Sequence, residues 1–300
     1  MAATTVRSLS NDTVELFDRE YQRYSVEQRV YCVPVDGDEE DRLTEQYEIL
    51  HQVFQHRLIL PNTISLDHIL DCGYGHGDWA NAILRQHPQS EVVGVDIFTA
   101  DRDEFEENFD AIPWDLNRPV REDGQDLRQE MYDLINSRFL AEGINSERWP
   151  AYLRELISML KPGGWLQMME YYFNIQSDTG RMAEAPALQQ WVRCYLQSMR
   201  TLNRNPGIGR ELQQLLRSDR RVVNMQAPAQ LNLPIGEWHT ELRWRNIGVQ
   251  MVSLVSKALE ALSLWPFVYV LGMSHVDVVN LITQARREIV NPTLRLYLPL

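Results

Sequence analysis

The sequence predicts an α/β fold: a mainly parallel, doubly wound sheet, preceded by N-terminal helices and followed by a helical lid insert. Three observations carry this. Strand-like and helix-like stretches alternate across residues 66–172. A glycine-rich turn joins the first of these strands to the first helix. After Tyr172 the alternation stops, and residues 183–220 read as helical without fitting another strand–helix repeat.

Residues 1–12 read as disordered, and Thr13 to about Tyr31 as an amphipathic helix. Asp36-Gly37-Asp38 is a turn. Glu39–Arg57 follows as a helix, with Leu43, Tyr47, Leu50 and Val53 on one face, and Pro61-Asn62 ends it. Leu66–Cys72 is a short apolar strand, Asp78–Gln86 a helix closed by His87-Pro88, and Glu91–Asp96 a β-branched strand. Together these form a βαβ unit, whose crossover is right-handed. Further strands are expected at Phe109–Ile112, Tyr132–Asn136 and Trp165–Tyr172. A helix over about Arg148–Leu160 is stopped by Pro162-Gly163-Gly164. Pro228–Gly236 reads as loop, Val249–Leu262 and His275–Val290 as helices, and Pro292–Leu300 as a strand burying Leu294, Leu296 and Leu298. The chain divides at the points where its pattern changes: a helical segment over 1–60 closing on the site, the sheet-bearing core over 61–180, the lid and substrate region over 181–246, and C-terminal helices with a final strand completing the core over 247–300.

Composition narrows the function. The 300 residues are 44% apolar and 24% charged, as in ordinary globular domains. No apolar run approaches the roughly 18–20 residues that span a bilayer, and the N-terminus lacks a secretory apolar stretch, so a cytoplasmic protein without a membrane partner is expected. The net charge of −13 offers no basic face for phosphate backbones. The densest basic stretch, Arg217, Arg220 and Arg221, is diluted by Asp219 and reads as a solvated helix end, so no nucleic-acid partner is expected. Three scattered cysteines form no CxxC and no zinc-spaced cluster, so neither a disulfide framework nor a metal is expected. Cys72 reads as a small buried filler.

The chemistry concentrates in Asp71-Cys-Gly73-Tyr-Gly75-His-Gly77, a D-x-G-x-G-x-G run between strand and helix. Glycines let backbone pass close to a ligand, and the helix that follows offers unpaired N–H groups. Asp96, with Ile97 beside it, ends the next strand, where a carboxylate can take both hydroxyls of an adenosine ribose. NAD and S-adenosylmethionine both suit this geometry. The third glycine comes one residue too early for the NAD motif. Asp71 would also repel a pyrophosphate, whereas it can hold the cationic methionine part of S-adenosylmethionine, which we therefore expect as cofactor. Trp114-Asp115 follows the third strand, where the acid can meet the adenine amino group or serve as a turn former.

With these motifs in place, the sequence resembles the fungal LaeA-like class I methyltransferases. The likeness runs through Glu40–Gln46 (EDRLTEQ), LDCGYGHGDWA, VVGVDI, YDLINSR, LKPGGWLQMMEYY, LPIGEWHTE and IGVQM to the helix from His275. It implies a class I Rossmann-like fold with a helical substrate insert. It also implies that Asp71, Gly73, Gly75 and Asp96 contact the cofactor, that Asp115 and Ser137-Arg138 line the same cleft, and that Arg42 and Gln46 close over it. Tyr47, His76 and Asp78 depart from the family's pattern. The family includes tailoring enzymes of secondary metabolism and a regulator of it.

Methyl transfer is an in-line displacement that gains its rate from positioning, and it requires a base only where the acceptor must lose a proton. Candidate bases are His239, Glu170 and Tyr171. For His239 the alternative is a half-exposed loop histidine, and for Glu170 a helix-anchoring carboxylate. Tyr171, Tyr172, Phe173, Trp191, Trp238 and Trp265 could line an apolar pocket or fill the core. The expected function is methyl transfer to O, N or S of a small fungal secondary metabolite, by a monomer or homodimer. The alternatives are a regulator, in which case nuclear, acting through protein partners, and a repurposed fold catalysing a non-methylating step such as cyclisation.

Overall fold

The computed structural model describes residue 9 and residues 11–60, 66–99, 105–120, 127, 129–226 and 230–300. The expected disordered start (most of 1–12), the Pro61-Asn62 break and Pro228 lie outside these.

The central sheet is parallel, in the order β5-β4-β3-β6-β7: β3 (His68–Cys72), β4 (Glu91–Asp96), β5 (Phe109–Pro113), β6 (Tyr132–Arg138) and β7 (Leu160–Met169). The α/β expectation holds, and so do the expected positions of these five strands. Side chains along β3 alternate between the sheet's two faces, both of them buried. Ile69 packs with Trp79, Ile83 and Leu84 of α3 (Asp78–Gln86) on one face, while Leu70 and Cys72 pack with Trp149, Tyr152 and Leu156 of α4 (Trp149–Met159) on the other. Each fully buried aliphatic or aromatic side chain of this kind contributes about 1.5–3 kcal/mol. The chain leaves β3 toward β4 on one side and reaches β6 on the other, so the strand order switches between β3 and β6. Parallel sheets bind ligands at such a point, beyond the carboxyl ends of the strands.

Elsewhere the sequence reading is corrected. Thr13–Tyr31 is not one helix but a hairpin, β1 (Thr13–Leu16) and β2 (Arg19–Gln22), followed by α1 (Arg23–Gln28). Its turn, Phe17-Asp18, holds both residues at left-handed φ (58° and 59°), a conformation usually announced by Asn-Gly. Phe17 tolerates it while stacked on His275, 4.9 Å away. Pro162-Gly163-Gly164 does not stop a helix. α4 ends at Met159, and these residues form an irregularity inside β7, between the pairs Tyr132–Leu160 and Leu134–Trp165.

The final strand, β10 (Leu296–Pro299), does not complete the parallel sheet. It lies between β8 (Gln176–Ser177) and β9 (Asn232–Ile235), so part of the expected loop at 228–236 is a strand. Leu294, Leu296 and Leu298 are buried as expected, against α7 (Leu242–Ala261), α8 (Leu264–Tyr269) and α9 (His275–Ile289). The expectation that no apolar stretch reaches bilayer length is also corrected. Leu242–Tyr269 is long and apolar enough by composition, but its window is 61% buried inside the protein, as a core helix is.

α2 (Gly37–Val53) is capped by Asp36, whose carboxylate accepts from the Glu39 N–H at 3.1 Å. Asp36 also pairs with Arg19 of the hairpin through two nitrogens at 2.6 Å. α5 (Pro186–Thr201) and α6 (Leu212–Arg217) replace the continuous helix expected over 183–220. Arg204, just past α5 and buried, donates to the carbonyls of Arg29 and Val30 at 2.7 Å and of Glu142 at 3.0 Å. Residues 30–35 are thereby strapped between α5 and the hairpin.

Candidate active-site cleft

A cleft opens at the carboxyl ends of β3, β4 and β6, where the strand order switches. Its floor is Gly73–His76, Asp96–Phe98, Trp114–Asn117 and Arg138–Leu140. Its cover is Val30, Tyr31, Pro34 and Val35 of the strap with Glu39, Leu43, Gln46, Tyr47 and Leu50 of α2. Among the described residues, none of 181–246 lines this cleft, so the expected lid insert does not cover it; the N-terminal segment does.

The glycine loop is held open by its backbone. Gly73 and Gly75 adopt φ of +70° and +57°, which L side chains rarely take. A Cβ on Gly73 would run into Leu140, whereas one on Gly75 would stand at ordinary contact with Leu43 across the cleft. The Gly73 N–H donates to the Val95 carbonyl at 2.7 Å, and the Gly75 N–H to Asp96 Oδ2 at 3.0 Å. Asp96 Oδ1 accepts from the Phe98 N–H at 3.2 Å. Burial raises this carboxyl's pKa, opposed by those backbone N–H groups. Gly77 sits differently: it lies outside the cleft lining and caps α3 at φ +82°, where a Cβ would strike Phe105. Its expected cofactor contact is corrected to a packing role.

Asp71 is 2% exposed and is not itself in the cleft lining, although Gly73, two residues on, is. Its Oδ1 accepts from Asn136 Nδ2 at 2.7 Å, and Asn136 Oδ1 accepts from Gln167 Nε2 at 3.1 Å. The three residues lie in register across β3, β6 and β7, a buried polar row that fixes the carboxyl's direction. Asp71 Oδ2 has no partner. Burial pushes the carboxyl up to about 6, against the pull of Arg138 and the Asn136 hydrogen bond. Arg138 lines the cleft with its guanidinium 5.3 Å from the Trp79 ring and makes no ion pair among the described residues. Burial lowers its pKa, while Asp71 is its strongest electrostatic support. The unpaired Arg138 guanidinium faces the cleft, while the unpartnered Asp71 oxygen is buried two residues before Gly73, which lines it; an ammonium and a carboxylate are the groups these two would match.

The other expected contacts divide. Ile97, Trp114, Asp115 and Gln46 line the cleft. Asp115 already accepts from the Asn117 N–H and Nδ2 at 3.0 Å and from the Tyr24 hydroxyl at 3.2 Å, so it organises the loop as well as facing the cleft. Ser137 is corrected: it is fully buried, and its hydroxyl pairs with the Tyr152 hydroxyl at 3.0 Å, away from the cleft. Arg42 does not line the cleft; it clamps Glu39 through Nε at 2.8 Å and Nη2 at 2.6 Å, and thereby presents that carboxylate.

The expected bases fare worse. His239 lies between β9 and α7, beside Trp238 and Trp244. Its Nδ1 accepts from the Glu241 N–H at 3.2 Å, so it is a loop histidine outside the cleft. Glu170 is buried, and its two oxygens accept from the Leu140 and Ala141 N–H groups at 2.8 and 3.2 Å, so it anchors the loop after β6. Tyr171 is not in the lining either, but it stacks 4.5 Å from Phe139, which is. Its buried hydroxyl has no partner. None of Tyr172, Phe173, Trp191, Trp238 and Trp265 reaches the cleft; Phe173 and Trp191 are core. The sequence reading missed Tyr31 and Glu39, which the fold gathers at the cleft's cover and which no linear motif joins.

The model of the methyltransferase domain matches residues 43–217. The chain is 28% identical to the "Secondary metabolism regulator laeA" of Monascus pilosus over 287 residues, covering 89% of this chain and 71% of that protein. It is 24% identical to the "Probable methyltransferase tdiE" of Emericella nidulans, covering 87% and 79%. Among solved structures, it is similar to phosphoethanolamine N-methyltransferase 2 of Haemonchus contortus in complex with S-adenosylhomocysteine, at 12% identity and a TM-score of 0.45, over 84% of this chain and 51% of that one.

Proposed function

The chain belongs to the methyltransferase-domain family, with LaeA-like fungal proteins as its relatives, and we propose that it methylates O, N or S of a small fungal secondary metabolite in the cytoplasm. It is a methyltransferase and its cofactor is S-adenosylmethionine. That group supplies an electrophilic methyl on a sulfonium, a good leaving group, so this chain's residues need only hold, orient and shield.

The observation that carries the reading is the trio at the strand ends. In our reading Asp96 takes the ribose hydroxyls, Asp71 Oδ2 takes the ammonium, and Arg138 takes the carboxylate. Gly73 and Gly75 keep side chains out of the cofactor's path. Trp114 and Asp115 border the adenine end. The strap and α2 cover the cleft, and holding the acceptor beneath them beside the methyl raises its effective concentration there.

The test is transfer of label. The protein is incubated with methyl-labelled S-adenosylmethionine and a metabolite extract of its host. Label in a small molecule is the expected result; label on protein alone, or nowhere, refutes the small-molecule acceptor. A second reading, a regulator of secondary metabolism, is supported by the name of the Monascus pilosus relative. It requires a stable protein partner in a pull-down and no small-molecule turnover.

A further inference from the structure

We propose that His76 of the glycine loop and Glu40 of α2 form a proton-operated clasp that holds the cover down on the bound cofactor, so that S-adenosylhomocysteine leaves faster once His76 is neutral. His76 is thus a positioning residue, acting through α2. The proposal rests on the cofactor reading above and adds how the cleft is held shut and released.

Floor and cover meet at one seam. His76 lines the cleft from the glycine loop. Its Nδ1 is buried without a hydrogen-bond partner and stands 3.7 Å from Glu40 Oε2. That separation is too long for a hydrogen bond and short enough for an ion pair once the ring is charged. Two further contacts close the same seam. The Thr44 hydroxyl of α2 donates to Oδ2 of Asp78, the first residue of α3, at 3.1 Å. Leu43 of α2 lies over Gly75, 3.5 Å from where a Cβ would stand. Glu40, Leu43, Thr44 and Tyr47 recur at helical spacing, so one face of α2 carries them all. The three positions at which the sequence departs from the family's pattern, Tyr47, His76 and Asp78, come together at this seam.

The surrounding charges give the clasp its sign. Glu40 faces His76 from α2, Asp78 from α3 and Asp96 from the end of β4, and the charge of the ring reaches both aspartates. These carboxylates attract an imidazolium and have no such hold on a neutral ring. Arg138 of β6 is the cation that Asp78 also feels. Tyr47 faces Asp78 from α2; burial raises its pKa, so it stays neutral over the range in which a histidine changes charge. Glu39, beside Glu40, is already held by Arg42. When the ring loses its proton the pair is lost, and α2 keeps only the Thr44 hydrogen bond and the Leu43 contact at this seam. The His76 and Glu40 side chains are 17% and 47% exposed, so solvent screens the pair, and its effect is a factor of about three rather than orders of magnitude.

The test is the rate at which S-adenosylhomocysteine leaves the intact chain on dilution, at pH values from about 5.5 to about 8. Trp79 and Trp114 line the cleft, and their fluorescence follows the release. The Asp71 titration is common to every variant and cancels in a ratio of rates taken at one pH. The ratio of His76→Gln to wild type falls by about threefold between the acid and the alkaline end, because the variant lacks the charge that slows release at acid pH. Glu40→Gln, at a half-exposed residue, shows the same pH-dependent ratio on its own. Its effect disappears in the His76→Gln background, as two halves of one pair require. A residue that only packs at the seam would give ratios independent of pH. Such constant ratios, a change in the opposite sense, or a Glu40→Gln effect that persists in the His76→Gln background overturns the proposal. Failure of the wild type to bind S-adenosylhomocysteine overturns the cofactor reading instead, and this proposal with it.

Discussion

The N–H of Gly75 donates to Asp96 Oδ2 at 3.0 Å. One hydrogen bond thus ties the glycine loop after β3 to the acid at the end of β4 and sets the width of the cleft between them. Both residues are replaceable without touching the hydrophobic core, which makes the cleft experimentally separable from the fold.

Asp71 gives a stability–function trade-off with a defined sign. Its carboxyl is raised from 3.8 to about 6 in the folded protein, so the folded state holds that proton more tightly than the unfolded one. The associated stability is present below pH 4 and lost as pH rises through about 6, on the order of 3 kcal/mol. Asp71→Asn therefore raises the melting temperature of the ligand-free protein at pH 7–8, and the gain over wild type fades by pH 4. The same variant weakens S-adenosylhomocysteine binding. In the wild type, affinity falls as pH drops through about 6, where the carboxylate is neutralised. Calorimetry and thermal melts across pH 4–8 check both statements.

Asn136 supplies the hydrogen bond that holds Asp71, at 2.7 Å. Asn136→Ala leaves both Asp71 and Gln167 short of a partner inside the sheet, and costs about 1–3 kcal/mol in urea denaturation. It also moves the Asp71 titration upward from about 6, visible as a shifted pH dependence of cofactor-analogue binding.

Arg204 is the strap's latch. It is 4% exposed and serves the carbonyls of Arg29, Val30 and Glu142 together. Arg204→Ala leaves those carbonyls unserved and destabilises the protein by about 3 kcal/mol. The dissociation rate of S-adenosylhomocysteine rises as the cover loosens. Arg204→Lys does not rescue it, since one ammonium cannot span the fork's several acceptors. Stopped-flow release of the analogue reads the effect.

His239→Ala leaves analogue affinity unchanged, because His239 lies outside the cleft. A loss of affinity in this variant would return His239 to the site and contradict the assignment of the cleft's borders.

The central strands were legible because their signal is local. HILDC and EVVGVD are short β-branched or apolar runs bounded by turn residues, and the helix between them carries its own stripe, Trp79, Ile83 and Leu84. The glycine loop was legible for the same reason: Gly73 and Gly75 stand at backbone angles that few other residues accept. What escaped the sequence depends on distant partners. β8, β9 and β10 pair residues as far apart as Gln176 and Tyr297. The N-terminal hairpin turns on Phe17-Asp18, which carries no turn signature. His239 and Glu170 were plausible bases by residue type alone; only the fold shows that one sits in a remote loop and the other is spent on backbone N–H groups. Tyr31 and Glu39 gave no signal, because the strap and α2 that carry them meet the cleft only in the fold.

The most direct measurement is calorimetric titration of S-adenosylhomocysteine into the intact chain and into Gly75→Val. The left-handed φ of +57° at Gly75 costs a valine about 1–2 kcal/mol of strain, and its side chain stands toward Leu43 across the cleft. The account predicts one saturable site in the wild type and an affinity weakened by about tenfold or more in the variant. No heat in the wild type, or equal affinity in the two proteins, would contradict it.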